Sequence, residues 1–127
     1  MNPIQELPRR RITSWDIFCG KVPKHWKLED DMTALANEAL YFCRHRLKNP
    51  NIKMKVYIGY RSRRYYGRCM TKVGVIMIDE RHKRRENHSV HLTLAHEIAH
   101  MAYRKHGIRH EEITQKIINY FKGKGLL

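Results

Sequence analysis

The amino-acid sequence predicts an α+β domain: an N-terminal helix, a three-stranded antiparallel meander, a helix carrying His96-Glu97-Ile98-Ala99-His100, and a C-terminal helix. Three observations lead there. Apolar residues recur at intervals of three and four from Asp30 to about Leu47, the period changes to two within residues 53–79, and the helical period returns on both sides of Gly107. A chain of 127 residues has room for one modest core. The expected organisation is an irregular basic leader over residues 1–29 and a single domain over residues 30–127.

The leader holds Pro3, Pro8, Pro23, the run Arg9-Arg10-Arg11 and both tryptophans, with no sustained periodicity. From Asp30, the residues Met32, Leu35, Ala36, Ala39, Leu40, Cys43 and Leu47 form an apolar stripe, Asp30 or Asp31 can cap its start, and Asn49-Pro50-Asn51 breaks it. Met54, Val56, Ile58 and Tyr60 then alternate with Lys53, Lys55, Tyr57 and Gly59, the pattern of a strand with one buried face. Residues 64–70 and 73–79 read as two further strands joined at Thr71-Lys72. The next helix is expected from about His88 to Lys105, closed by Gly107 as a left-handed cap. A last helix from about His110 presents Ile113, Ile117, Ile118 and Phe121 on one face.

Charge narrows the partners. The formal net charge is +14, and no acidic residue lies between Ala39 and Ile78. That stretch interleaves Arg61, Arg63, Arg64 and Arg68 with Tyr65 and Tyr66, cations that can track a phosphate backbone beside rings on which unpaired bases stack. DNA is therefore an expected partner. No segment approaches 18 apolar residues and the start has no apolar signal region, so the expected location is cytoplasmic, nucleoid or nuclear, with no membrane role. Cys19, Cys43 and Cys69 are odd in number and show no C-x-x-C spacing, which argues against a disulfide framework or a zinc ribbon.

The chemistry is concentrated at residues 96–100. On a helix, His96 and His100 at i and i+4 lie one above the other, so both imidazoles reach one cation at about 2.0–2.1 Å, and Glu97 falls beside them as a general base. With nine histidines and eight glutamates in the chain, a chance H-E-x-x-H arises roughly 4 times in 100, so the context has to carry the reading. It does: Leu92, Leu94, Ala95, Ile98, Ala99 and Ala102 place the motif mid-helix. A catalytic Zn²⁺ takes three protein ligands, and the third has two candidates downstream. His106 follows His100 by six residues, but the glycine that would turn the chain back at that spacing is Tyr103 here. If the helix ran on, His106 would point about 80° away from His96. His110 shares the inward face with Ile113 and Ile117, which favours His96, His100 and His110 as the zinc set and keeps His106 as the rival.

From these residues the chain resembles the SprT-like (Spartan-type) metallopeptidases. The resemblance rests on the element order, on Thr93-Leu94-Ala95-His96-Glu97-Ile98-Ala99-His100, and on Tyr66-Gly67-Arg68-Cys69 followed by Gly74-Val75-Ile76-Met77-Ile78, which is similar to that family's hairpin before the active helix. It covers about residues 30–122. The departures fall after the motif: Glu111, Glu112, Ile113 and Thr114 follow His110, whereas His106-Gly107 matches the family's His-Gly pair and sets His110 at its aromatic position. The resemblance implies a zincin-like fold and a zinc-dependent protease that clears protein from DNA, with Glu97 as base and acid. Two other classes remain open: a small basic nucleic-acid-binding protein with a structural or vestigial zinc site, and a metallopeptidase whose charge selects acidic substrates without nucleic acid.

Overall fold

The computed structural model describes residues 13–61, 65–79 and 90–127. Its elements in chain order are α1 (Ser14–Phe18), β1 (Lys27–Leu28), α2 (Asp30–Ala39), β2 (Lys55–Tyr60), β3 (Gly67–Met70), β4 (Val75–Asp79), α3 (Val90–Ala99) and α4 (Ile108–Gly123). The mixed α+β class is as expected, but the sheet is not a three-stranded meander. Four strands lie in the order β1-β2-β4-β3, with β2 and β4 parallel and the other two pairs antiparallel.

Burial explains the rearrangement. All five residues of β4 are buried, as suits a central strand covered on both faces, whereas β3 carries exposed Arg68 and lies at an edge. Placing β4 between β2 and β3 buries Val75-Ile76-Met77-Ile78 completely. A meander in chain order would instead leave that run on the outside.

Alternation along β2 and β4 divides the core in two. Val56, Ile58, Ile76 and Ile78 face the main cluster with Leu35, Ala36, Leu94, Ile98, Ile117 and Phe121 from α2, α3 and α4. Tyr57, Val75 and Met77 face the other way, against Ile17, Val22 and Val73. Residues 13–28, expected as part of an irregular leader, therefore belong to the fold: α1 covers the second face and β1 extends the sheet. A capping box starts α1. Thr13 accepts from the Asp16 N–H at 3.2 Å, and the Asp16 carboxylate accepts from the Thr13 N–H at 2.9 Å.

Helix α2 is shorter than its apolar stripe. It ends at Ala39 and continues as two tight turns, Leu40–Phe42 and Arg44–Arg46. Its N-cap is Glu29, with Asp30 and Asp31 in the first turn, where their charge favours the helix dipole. Thr33 and Asn37 pin it to the sheet. The Val56 N–H donates to Thr33 Oγ1 at 3.0 Å and the Met54 N–H to Asn37 Oδ1 at 2.7 Å, so both backbone donors are satisfied. Among the described residues, no helix is long and apolar enough to cross a membrane.

Candidate metal centre

Helix α3 stops ten residues after it starts, and this early end builds the site. Beyond Ala99 the bonds tighten to i→i+3: the His100 N–H reaches Glu97 O at 3.1 Å, Met101 reaches Ile98 O at 3.0 Å and Ala102 reaches Ala99 O at 3.1 Å. The helix expected to run to Lys105 does not, and Gly107 is not its left-handed cap. Gly107 is extended, at φ 171°, and is the N-cap of α4, which begins at Ile108 rather than His110.

The turn brings four histidines together. His96, His100 and His110 offer ring nitrogens within 4.8 Å of one another, close enough to hold a metal ion. His106 comes closer still. Its Nε2 lies 3.0 Å from His96 Nε2 and 3.1 Å from His100 Nε2, and those two are 3.2 Å apart. Three donors at about 2.0–2.1 Å from a tetrahedral ion are spaced about 3.3–3.4 Å apart, so this triangle has the size of one ligand face. The geometric reason for preferring His110 assumed a helix continuing past Arg104, and that assumption fails.

Hydrogen bonds sort the four rings. His100 Nδ1 lies 2.9 Å from the Tyr103 carbonyl; as the donor there it leaves Nε2 with a free lone pair aimed into the triangle. His110 is 2% exposed, and its Nε2 donates at 3.0 Å to the His96 carbonyl, an acceptor at the end of α3. With Nε2 so used, His110 keeps only Nδ1 as a possible ligand atom. Its ring packs 4.5 Å from that of His96 and 4.2 Å from that of His100, centroid to centroid.

Electrostatics favour neutral ligands. Burial, followed by the neighbouring histidines, holds His96 down at about 4, and burial also lowers His100 and His110. Three imidazole nitrogens whose lone pairs turn toward one point repel unless a proton or a cation lies between them. A single proton serves only one pair, whereas a metal ion serves all three, so the donor set fits a metal.

Glu97 is held beside the triangle at 6% exposure, and burial pushes its carboxyl up to about 7. Gly67 on β3 makes that placement possible: a Cβ there would stand 2.7 Å from Thr93 Cγ2 and 3.3 Å from both Cγ and Oε2 of Glu97. Comparison with protein-family models, curated proteins and solved structures finds no match. The site therefore has to be read from its own chemistry.

A groove of about 840 Å³ opens over Glu97 and the tripod, lined by Tyr65, Arg68, Lys72 and Arg104 among others. Of the residues expected to touch nucleic acid, Tyr65 and Arg68 thus reach the site, with Tyr65 56% exposed. Arg61 is exposed at the end of β2 and Tyr66 is half-buried before β3, neither in the groove lining, while Arg63 and Arg64 lie outside the described residues. Sequence reasoning missed the closeness of Gly67 to Glu97, although its place two residues before Cys69 in a strand was a signal of close backbone approach. A second cavity, of about 380 Å³, shares His96 and His106 with that groove and is lined also by His110, Glu111, Thr114 and Gln115 of α4.

Proposed function

We propose that this protein is a zinc-dependent peptidase in which His96, His100 and His106 hold the ion and Glu97 is the general base. The observation that carries the reading is the mutual 3.0–3.2 Å approach of three Nε2 atoms beside a buried carboxylate in an open groove. A structural zinc site is closed by four protein ligands; here His96, His100 and His106 line an open groove, which leaves room for a reactant. When bound, the ion would supply Lewis-acid chemistry that makes water nucleophilic near neutral pH and polarises a carbonyl.

The chain's own residues supply the rest. Glu97, with its carboxyl raised toward 7, takes a proton from the attacking water and returns it to the leaving amine, a task suited to a group that exchanges protons near neutrality. Gly67 lets β3 pack directly against the Glu97 side chain and hold it in place. His110 holds the His96 backbone and braces two ligand rings by packing. Strand β3 is an edge of the sheet among the described residues and lines the groove, so an extended polypeptide could add to it as a further strand.

Action on DNA-associated proteins extends this reading. Its support is the acid-free basic stretch and the position of Tyr65 and Arg68 at the groove mouth, together with the resemblance to SprT-like enzymes. The deciding experiment is a protease assay on a DNA-bound protein, with and without DNA, comparing wild type and Glu97→Gln. Cleavage by wild type that the variant lacks is expected. A purified, zinc-loaded protein that cleaves neither protein nor peptide overturns the peptidase reading.

A further inference from the structure

We infer that the site is polarised by charge, taking a polypeptide with acidic side chains on the Glu97 side of the cleaved bond and a basic or amide side chain on the α4 side. The inference rests on the peptidase reading. Two cavities meet at the histidine cluster, and His96 and His106 line both. The larger carries Arg68 on β3, Lys72 in the following turn and Arg104 beyond α3, and among the described residues its one carboxylate is Glu97, which is buried and committed to the chemistry. The smaller carries the Glu111 carboxylate and, among the described residues and apart from the histidines, no cation. Charges of opposite sign therefore line the two cavities that join at His96 and His106.

The cations are available for binding. Arg68, Lys72 and Arg104 are exposed, or nearly so, and none is paired with a carboxylate among the described residues. Solvated charges of this kind steer and select rather than anchor, and they act on any anionic side chain that enters the groove. On the α4 side, the Thr114 hydroxyl donates to the His110 carbonyl at 2.8 Å and the Gln115 amide to Asn119 Oδ1 at 3.0 Å. Glu111 is thus the group left to meet a cationic or amide-bearing side chain, in a cavity of about 380 Å³. The larger groove runs along the β3 edge, whose alternating backbone donors and acceptors match an extended peptide, whereas a phosphate backbone offers acceptors alone. A polypeptide is therefore the favoured anion.

The test uses the full chain loaded with zinc, a peptide library of mixed sequence, and mass-spectrometric reading of the cleaved bonds. Wild-type cleavage is expected to be enriched in Asp and Glu on one side of the bond. Lys72→Glu combined with Arg104→Glu should lower cleavage of those acidic peptides about tenfold relative to basic ones, since reversal turns attraction into repulsion at two positions. Glu111→Lys should shift the preference on the opposite side of the bond, from basic toward acidic residues. Cleavage without charge preference, or a preference that none of these substitutions moves, overturns the inference while leaving the peptidase intact. So does an oligonucleotide that blocks peptide cleavage and whose affinity falls with the same two reversals, because the cations would then serve nucleic acid. Absence of any cleavage by zinc-loaded wild type instead brings down the peptidase reading itself.

Discussion

Replacing His106 and His110 separately should have unequal effects on metal affinity, and the structure sets the size of the difference. Structural zinc binding at pH 7 is worth about 10–16 kcal/mol over four ligands, hence about 3–4 kcal/mol for each. His106→Ala removes one corner of a triangle whose sides are 3.0, 3.1 and 3.2 Å, so affinity should fall by about 10²–10³-fold. Because His106 is exposed, the metal-free variant should unfold within about 0.5 kcal/mol of wild type. His110 needs a different substitution, since a hole at a residue only 2% exposed would disturb the fold. His110→Phe fills the space and removes the 3.0 Å bond to the His96 carbonyl. Partners that orient a ligand are worth about 10–100-fold in affinity, and the retained packing places this one near tenfold. The assay is competition for zinc against a chromophoric chelator, with metal content measured on the purified proteins. Wild-type affinity in His106→Ala together with loss of zinc in His110→Phe would refute the reasoning and make His110 the third ligand.

Further outcomes follow from the same geometry. Glu97→Gln should keep about one zinc per chain and lose peptide hydrolysis by about 10²–10⁴-fold, read by metal analysis and a fluorogenic peptide; an unchanged rate removes Glu97 from the chemistry. Gly67→Ala should push β3 off Glu97, because its Cβ has only 2.7 Å to Thr93 Cγ2, with a stability loss of about 1–3 kcal/mol in urea denaturation and a fall in kcat at full zinc occupancy. Unaltered kcat and stability would show that the close approach is of no consequence. Thiol reagents at pH 8 should label exposed Cys19 first in the native protein, with half-buried Cys69, whose thiol burial pushes up, reacting far more slowly. Cys43 is buried and pushed up to about 12 by burial, which leaves roughly one thiolate in 10⁴ at that pH; it should stay unlabelled until urea unfolds the chain, when mass spectrometry counts the added groups.

How much of this was legible in the sequence depended on whether a local pattern was enough. The stripe from Met32 to Ala39, the alternation through Val56 and Ile58, and Ile113-Ile117-Phe121 each named an element and its buried face, because helical and extended periods are local properties. Strand order was not local. Nothing in residues 53–79 taken singly requires β4 to sit between β2 and β3, although the unbroken apolar run Val75-Ile76-Met77-Ile78 was the mark of a strand buried on both faces. Residues 13–28 lacked a period long enough to register, and they joined the fold through a five-residue helix and a two-residue strand. At the site, His96, Glu97 and His100 could be placed from their spacing. The position of His106 depended on where α3 ends, and helix boundaries are set by side-chain and tertiary partners that periodicity does not encode.

The end of α3 ties the four histidines into one device. Had the helix continued, the His100 N–H would have met the His96 carbonyl, His110 would have had to share that acceptor, and His106 would have been carried around the helix away from its partners. Tightening at Glu97 O frees the His96 carbonyl for His110 and turns the chain so that the Tyr103 carbonyl meets His100 Nδ1. Those two bonds act on two different ligands, one through its backbone and one through its ring, and both come from residues beyond the helix. The His-Gly pair at His106-Gly107 then lies where the returning chain enters α4, with His106 as one corner of the triangle and His110 as the third residue of the new helix. On this account His106 and His110 are not alternatives for one role. The exposed ring completes the triangle, and the buried ring holds the triangle's first corner in place, which is why a phenylalanine should replace the second far better than an alanine replaces the first.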